Sequence, residues 1–124
     1  MVLEVAILDI RAGHAERFEA AFEQAQRILA AARGYQRHEL HKSADREDRY
    51  LLLVWWDSIE SHNVGFRGSA AYQEWKKLLH RFYDPFPHIE HFAPLPTTLN
   101  QRPILFEIVL MLLVAHPSVS MAEN

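Results

Sequence analysis

Between Trp56 and Phe92 the chain sets imidazoles among large rings: His62, His80, His88 and His91 stand among Phe66, Tyr72, Trp75, Phe82, Tyr83 and Phe86. Aromatic walls keep a cavity dry, and an imidazole titrates near neutral pH. The combination suits removal of a proton from a flat, apolar, weakly acidic ligand. His62 is the first candidate for the base or its hydrogen-bond partner. It falls just before Gly65-Phe66-Arg67-Gly68, where a helix is expected to break and turn polar groups toward a gap. His91 and Tyr83 are the further catalytic candidates, Tyr83 as a hydrogen-bond donor. Trp56, Phe66, Tyr72, Trp75, Phe86 and His38 are the candidates for a substrate-binding wall. The same rings at helical spacing also fit an ordinary core, and His62 also fits a helix surface. His80, beside Lys76 and Arg81, reads as exposed.

Other chemistries find no support. The chain has no cysteine, which excludes disulfides, thiolate catalysis and cysteine-held metals. His38 and His41 point to opposite faces of one strand, as do His88 and His91. His88 shares a face with Glu90, and His41 with Glu39, but no spacing brings three ligands together, so no metal is expected. There is no nucleophile elbow, and glycines only at 13, 34, 65 and 68 offer no phosphate cradle. A formal net charge of -3 with no basic stripe argues against nucleic acid as a partner. No basic, then apolar, export signal opens the chain, so a cytoplasmic location is the expectation.

The elements that must position these residues follow from periodicity. Val2 to Ile10 reads as a strand ending at the turn Arg11-Ala12-Gly13. From His14 to Ala32, Phe18, Ala21, Phe22, Ala25, Ile28 and Leu29 draw one apolar stripe, which predicts a helix stopped by Gly34. Tyr35 to Lys42 is a second strand, with Tyr35, Arg37, Glu39 and His41 on one face and Gln36, His38, Leu40 and Lys42 on the other. Ser43 to Asp48 is a hairpin loop. Arg49 to Trp56 is a third strand, apolar without interruption from Tyr50, which implies burial on both faces. Asp57 is expected to cap a short helix, with Glu60 completing a capping box and Gly65 and Gly68 breaking it. Ser69 caps another helix running to about Asp84, and Pro87 to Ala93 is a fourth strand.

This order predicts an α+β, ferredoxin-like βαββαβ unit with a four-stranded antiparallel sheet and helices on one face. Two helices cover only one face. The third strand, with Val5 and Ile7, leaves a second apolar face for another copy of the chain, so a homodimer is expected. The domain is placed at residues 1–95. Residues 96–124 form an apolar tail with a short helix at 103–115, a span that would also suit a strand. The twelve residues Ile104 to Ala115, apolar but for Glu107, are too few to span a bilayer, which needs about twenty. The tail is expected to dock onto the dimer or a partner, or to be foreign to the natural protein.

Three stretches carry a family resemblance: Val2-Leu3-Glu4-Val5-Ala6-Ile7-Leu8-Asp9-Ile10 with the Gly34-Tyr35 junction, the strand Arg49 to Trp56, and His62-Asn63-Val64-Gly65-Phe66-Arg67-Gly68-Ser69 followed by Phe82-Tyr83-Asp84-Pro85-Phe86-Pro87. They resemble the antibiotic biosynthesis monooxygenase family over residues 2–95. The resemblance implies a dimer in which two sheets close an α+β barrel, with one cavity per subunit. It also implies oxygenation of an aromatic, quinol-like or polyketide-like compound without metal, flavin or haem. The protein's tasks are then to hold the ring in a dry slot and to assist its deprotonation. The family's haem-degrading branch relies on a first-strand asparagine, a tryptophan and an iron-ligating histidine. Here the strand has no asparagine, and Phe66 and Lys76 align with the other two, so haem degradation is not expected. The alternative within the same fold is a small-ligand-binding or stress-response dimer that does no chemistry. A third reading is a structural dimer whose tail recruits a partner.

Overall fold

Alternation decides what each strand buries. On the first strand, β1 (Val2–Asp9), Val2, Glu4, Ala6 and Leu8 are buried, whereas the side chains between them are half-buried or exposed. The computed structural model describes residues 1–96 and 111–114. Its remaining strands are β2 (Tyr35–Lys42), β3 (Arg49–Trp56) and β4 (Ile89–Phe92). They pair antiparallel in the order β2-β3-β1-β4. With the helices α1 (Ala15–Ala30) and α2 (Ala70–Leu79), this is the expected ferredoxin-like α+β architecture.

The core lies between the sheet and the helices. Helix α1 buries Phe18, Ala21, Phe22, Ala25 and Leu29. They meet Tyr50, Leu52, Val54 and Trp56 of β3, with the Phe18 and Tyr50 ring centres 4.8 Å apart. Helix α2 adds Trp75 and Leu79, and its cap is the expected one: the Ser69 hydroxyl accepts from the Tyr72 amide at 3.2 Å.

Four local expectations are corrected. First, β3 is not buried on both faces: Leu51, Leu53 and Trp55 are half-buried on the face away from the helices. Second, β2 carries a bulge at Gln36. Tyr35 pairs with Trp56 and Arg37 with Trp55, so Tyr35 joins His38 and Leu40 on the helix face while Arg37 stays on the other. One extra residue reverses the alternation. Third, Asp57 caps no helix. Its carboxylate accepts from the Ser61 hydroxyl, and residues Ser61–Phe66 form a wide turn with π-helical bonding. Gly65 lies inside that turn, where a Cβ would meet only the Glu60 carbonyl oxygen, in ordinary contact at 3.8 Å. Gly68 closes it, since a Cβ there would meet the Val64 carbonyl oxygen at 2.5 Å. Fourth, α2 stops at Leu79 and tightens into a 3-10 turn over His80–Phe82 rather than continuing to Asp84.

Gly34 has φ of 86° and no room for a side chain, because a Cβ would collide with Ser61 Oγ and the Asp57 carboxylate. The α1–β2 corner therefore sits directly against the wide turn. The chain divides into the units Met1–Ala93 and Pro94–Asn124. Of the helix expected at 103–115, residues 111–114 are helical and exposed, and the rest lies outside the described residues. No helix among the described residues is long and apolar enough to cross a membrane.

Candidate functional site

An acidic side chain on the inward face of a strand must find partners or lose its charge. Glu4 is that residue. It shares the buried face of β1 with Val2, Ala6 and Leu8 and is 5% exposed. Sequence reasoning missed it by reading the β1 run as simply apolar. Its period-two position among inward residues was the signal. The register sets Glu4 opposite Val54 of β3 and His91 of β4. From the end of β3, the Trp56 indole N–H donates to Glu4 Oε1 at 2.8 Å.

The wide turn brings His62 over this pair. Its ring stacks on Trp56 with centres 5.4 Å apart and an interplanar angle of 24°. Nδ1 lies 2.8 Å from His91 Nε2, and Nε2 lies 3.4 Å from Glu4 Oε1. His62 is 3% exposed, so the surface alternative is excluded. Glu4, His62 and His91 thus form one connected chain of titratable groups, from a buried carboxyl to a half-buried imidazole on β4.

Burial sets the electrostatics. It raises the Glu4 carboxyl to about 7, against the opposing pull of the Trp56 N–H and the charge of Arg67. It lowers His62 to about 4, helped by His91 and Arg67. Near neutral pH, His62 is therefore neutral and Glu4 stands at its titration point. Burial also raises the Tyr83 phenol, with Tyr72 and Glu4 adding to the effect. His80, expected to be exposed, is half-buried and lowered by the same desolvation, then by Lys76 and Arg67.

These groups border a cavity between sheet and helices. Glu4 and His62 form its polar floor, and Phe66, Tyr72, Trp75 and Tyr83 its aromatic wall, with Arg67, His80 and Phe86 alongside. Backbone bonds on both sides hold Tyr83 inward: Arg11 N–H donates to the Phe82 carbonyl at 2.9 Å and Asp84 N–H to the Asp9 carbonyl at 2.8 Å. The free volume is about 40 Å³, room for a few waters rather than for a fused aromatic ring. Phe86 is 58% exposed and is the wall residue freest to move.

Of the residues expected from sequence, the structure brings together His62, His91, Tyr83, Phe66, Tyr72, Trp75 and Phe86. Trp56 backs the site from beneath His62 instead of facing the cavity. His38 is not part of it. It lies on β2 between Tyr35 and Gln26 Oε1, the latter at 3.0 Å, and borders a separate surface groove with Glu19 and Tyr50. The Gln36 bulge does not alter that, since His38 sits on the helix face one strand beyond Trp56. Among the described residues no three His, Asp or Glu side chains converge on a metal position. Glu4 and His91 approach His62 through different ring nitrogens, so their lone pairs are aimed at the ring and not at a shared point.

Comparisons with known proteins bear on the family and the fold. The sequence profile of the family described as antibiotic biosynthesis monooxygenase matches residues 1–78. The uncharacterised Bacillus subtilis (strain 168) protein YczJ is 53% identical over 92 residues, which are 74% of this chain and 97% of that protein. A Bordetella bronchiseptica structure named for the same family is 34% identical, with a TM-score of 0.73, covering 76% of this chain and 96% of its own. SnoaB, a cofactor-independent oxygenase from Streptomyces nogalater, shares the fold at 17% identity and a TM-score of 0.68, over 79% of this chain and 96% of its own.

Proposed function

The chain belongs to the antibiotic biosynthesis monooxygenase family, and from that membership we propose that it is a cofactor-independent monooxygenase acting on an aromatic, quinol-like or polyketide-like small molecule. The observation that carries this reading is the chain Glu4–His62–His91, whose first two members form the floor of an aromatic cavity. A dry pocket with a poised proton acceptor is what such a reaction asks of a protein.

For an anthrone-like ring, the acidic bond to hydrogen breaks, the proton passes to this cluster and the electron pair stays on the ring. The anion gives one electron to dioxygen. The resulting superoxide and ring radical combine to form a carbon–oxygen bond. The peroxide takes a proton back, and the same carbon then loses its second hydrogen as the O–O bond breaks, leaving a carbonyl on the ring and releasing water. His62 and His91 handle the proton, and Tyr83, a phenol that keeps its proton, donates a hydrogen bond to the developing charge. Phe66, Tyr72 and Trp75 hold the ring, and Phe86 swings out to admit it. The enzyme acts as a homodimer, two sheets closing a barrel, a reading supported by the half-exposed apolar face of Val5, Leu51, Leu53 and Trp55.

The test is oxygen uptake by chelator-treated protein with a panel of hydroquinones and anthrones, beside His62→Ala. Uptake above the spontaneous rate is expected, lowered about 100-fold in the variant, the usual share of a proton-transfer group. No uptake across the panel, with an aromatic ligand retained unchanged, would assign the chain to the binding-module alternative.

A further inference from the structure

Resting on the reading above, we propose that the group that takes the substrate's proton is Glu4, through Oε2, and that His62 and His91 are the path by which the proton leaves. His62 Nδ1 pairs with His91 Nε2 at 2.8 Å, while Nε2 lies 3.4 Å from Glu4 Oε1, an ion-pair distance without a hydrogen bond. Glu4 Oε1 accepts from the Trp56 N–H, and among the described residues no hydrogen bond ends on Oε2. No fully buried side-chain oxygen or nitrogen among those residues lacks a partner, so Oε2 opens to the cavity that Glu4 lines. His91 does not line that cavity and is half-buried, which makes it the outlet.

The charged and titratable groups facing Glu4 come from each neighbouring element. His62 and Arg67 arrive from the wide turn and its end, His91 from β4, and Tyr72, His80 and Tyr83 from α2 and the segment after it. The proton step balances without a further reactant. The substrate's bond to hydrogen breaks, an O–H bond forms at Glu4 Oε2, and the pair of electrons remains on the ring. A half-turn of the carboxyl about its soft, two-fold terminal torsion exchanges its oxygens. The proton then passes to His62 Nε2 as the Nδ1 proton moves to His91 Nε2, and His91 releases one from Nδ1 to water. Each imidazole takes one proton and gives one, so neither stores charge. The opposed shifts of the pair fit these roles, a carboxyl near 7 as acceptor and an imidazole near 4 as conduit.

The experiment has one arm that needs no turnover. In the full chain, carbon-13 NMR of the glutamate carboxyls and nitrogen-15 NMR of the imidazoles are followed against pH, in wild type and Glu4→Gln. A Glu4 midpoint near pH 7, with a His62 tautomer change at the same midpoint that vanishes in Glu4→Gln, is the expected result. A Glu4 midpoint in the ordinary carboxylate range, or a His62 profile unchanged by Glu4→Gln, overturns the proposal even if no substrate is ever found. In the second arm, Glu4→Gln is expected to lower kcat at least 100-fold with KM changed by only a few-fold, and Glu4→Asp to recover part of the loss. A kcat–pH limb near 7 in wild type should disappear in Glu4→Gln. Retention of that limb in Glu4→Gln, or equal loss in Asp and Gln variants, sinks Glu4 as the acceptor while leaving the oxygenase reading intact. If Glu4→Gln does not fold, the wild-type carboxyl titration and the Glu4→Asp kinetics decide.

Discussion

A buried carboxyl and a buried imidazole in contact make opposite demands on pH. Glu4 is raised from an ordinary 4.5 to about 7, so its stabilising share is complete below 4.5 and lost as pH rises through 7. His62 is lowered from 6.5 to about 4, so its share is complete above 6.5 and lost as pH falls through 4. Between pH 4.5 and 6.5 the two slopes cancel. Glu4→Gln removes one of them, and its melting temperature is expected to climb with pH across that window, relative to a flatter wild type. Parallel curves from calorimetry would contradict the shifts. Of these residues only the imidazole was legible from composition and spacing. The glutamate was hidden because a single acid in Val2-Leu3-Glu4-Val5-Ala6 looks like a solvent-facing interruption unless its parity is matched to Val2, Ala6 and Leu8. His80 misled for the converse reason: Lys76 and Arg81 suggested solvent, but α2 ends at Leu79, just before it, and from the 3-10 turn the ring borders the cavity.

At the level of elements, β1, β3 and α1 were legible to within a residue or two because their apolar patterns are long, and β2 and β4 were bounded by the glycine, loop and proline signals around them. The wide turn at Ser61–Phe66 was not, since its five-residue bonding leaves no periodic trace in six residues. Nor was the Gln36 bulge. Both irregularities adjoin Gly34, whose hydrogen is the only substituent that fits between Asp57 and Ser61. Gly34→Ala is expected to cost about 1–3 kcal/mol from the positive φ alone, and to lower turnover beyond its effect on stability by displacing the turn that carries His62. Ser69→Ala, by contrast, removes only the α2 cap, with an expected loss of about 1 kcal/mol and unchanged activity at a temperature where both proteins are folded. Denaturant unfolding beside oxygen uptake separates the two. Equal behaviour of the two variants would mean that the turn does not place the imidazole.

For the whole molecule, the sheet face away from the helices is the decisive surface. Val5, Leu51, Leu53 and Trp55 are half-buried there, and Ile7 is 48% exposed. Arg37 covers part of it, its guanidinium 3.8 Å above the Trp55 ring. The continuous apolar run in β3 pointed to this face from sequence, and the alternation in the structure shows that the run is divided between a finished core and an unfinished surface. Ile7→Glu with Leu53→Arg is expected to yield a folded monomer by light scattering, where a dimer is expected of the wild type. A dimer persisting in that variant would place the interface elsewhere.

Phe86 belongs to two surfaces at once. It edges the candidate cavity, and with Pro85 and Pro87 it also borders the groove of Val5, Ile7 and Phe92 on the opposite side of the sheet. A second copy seated on that groove would press on the same ring that must move for a ligand to enter. Self-association and pocket occupancy then become linked equilibria, each altering the other by the same factor. Dilution itself acts as an effector: apparent affinity drifts with enzyme concentration, and saturation curves recorded at nanomolar and micromolar protein fail to superimpose.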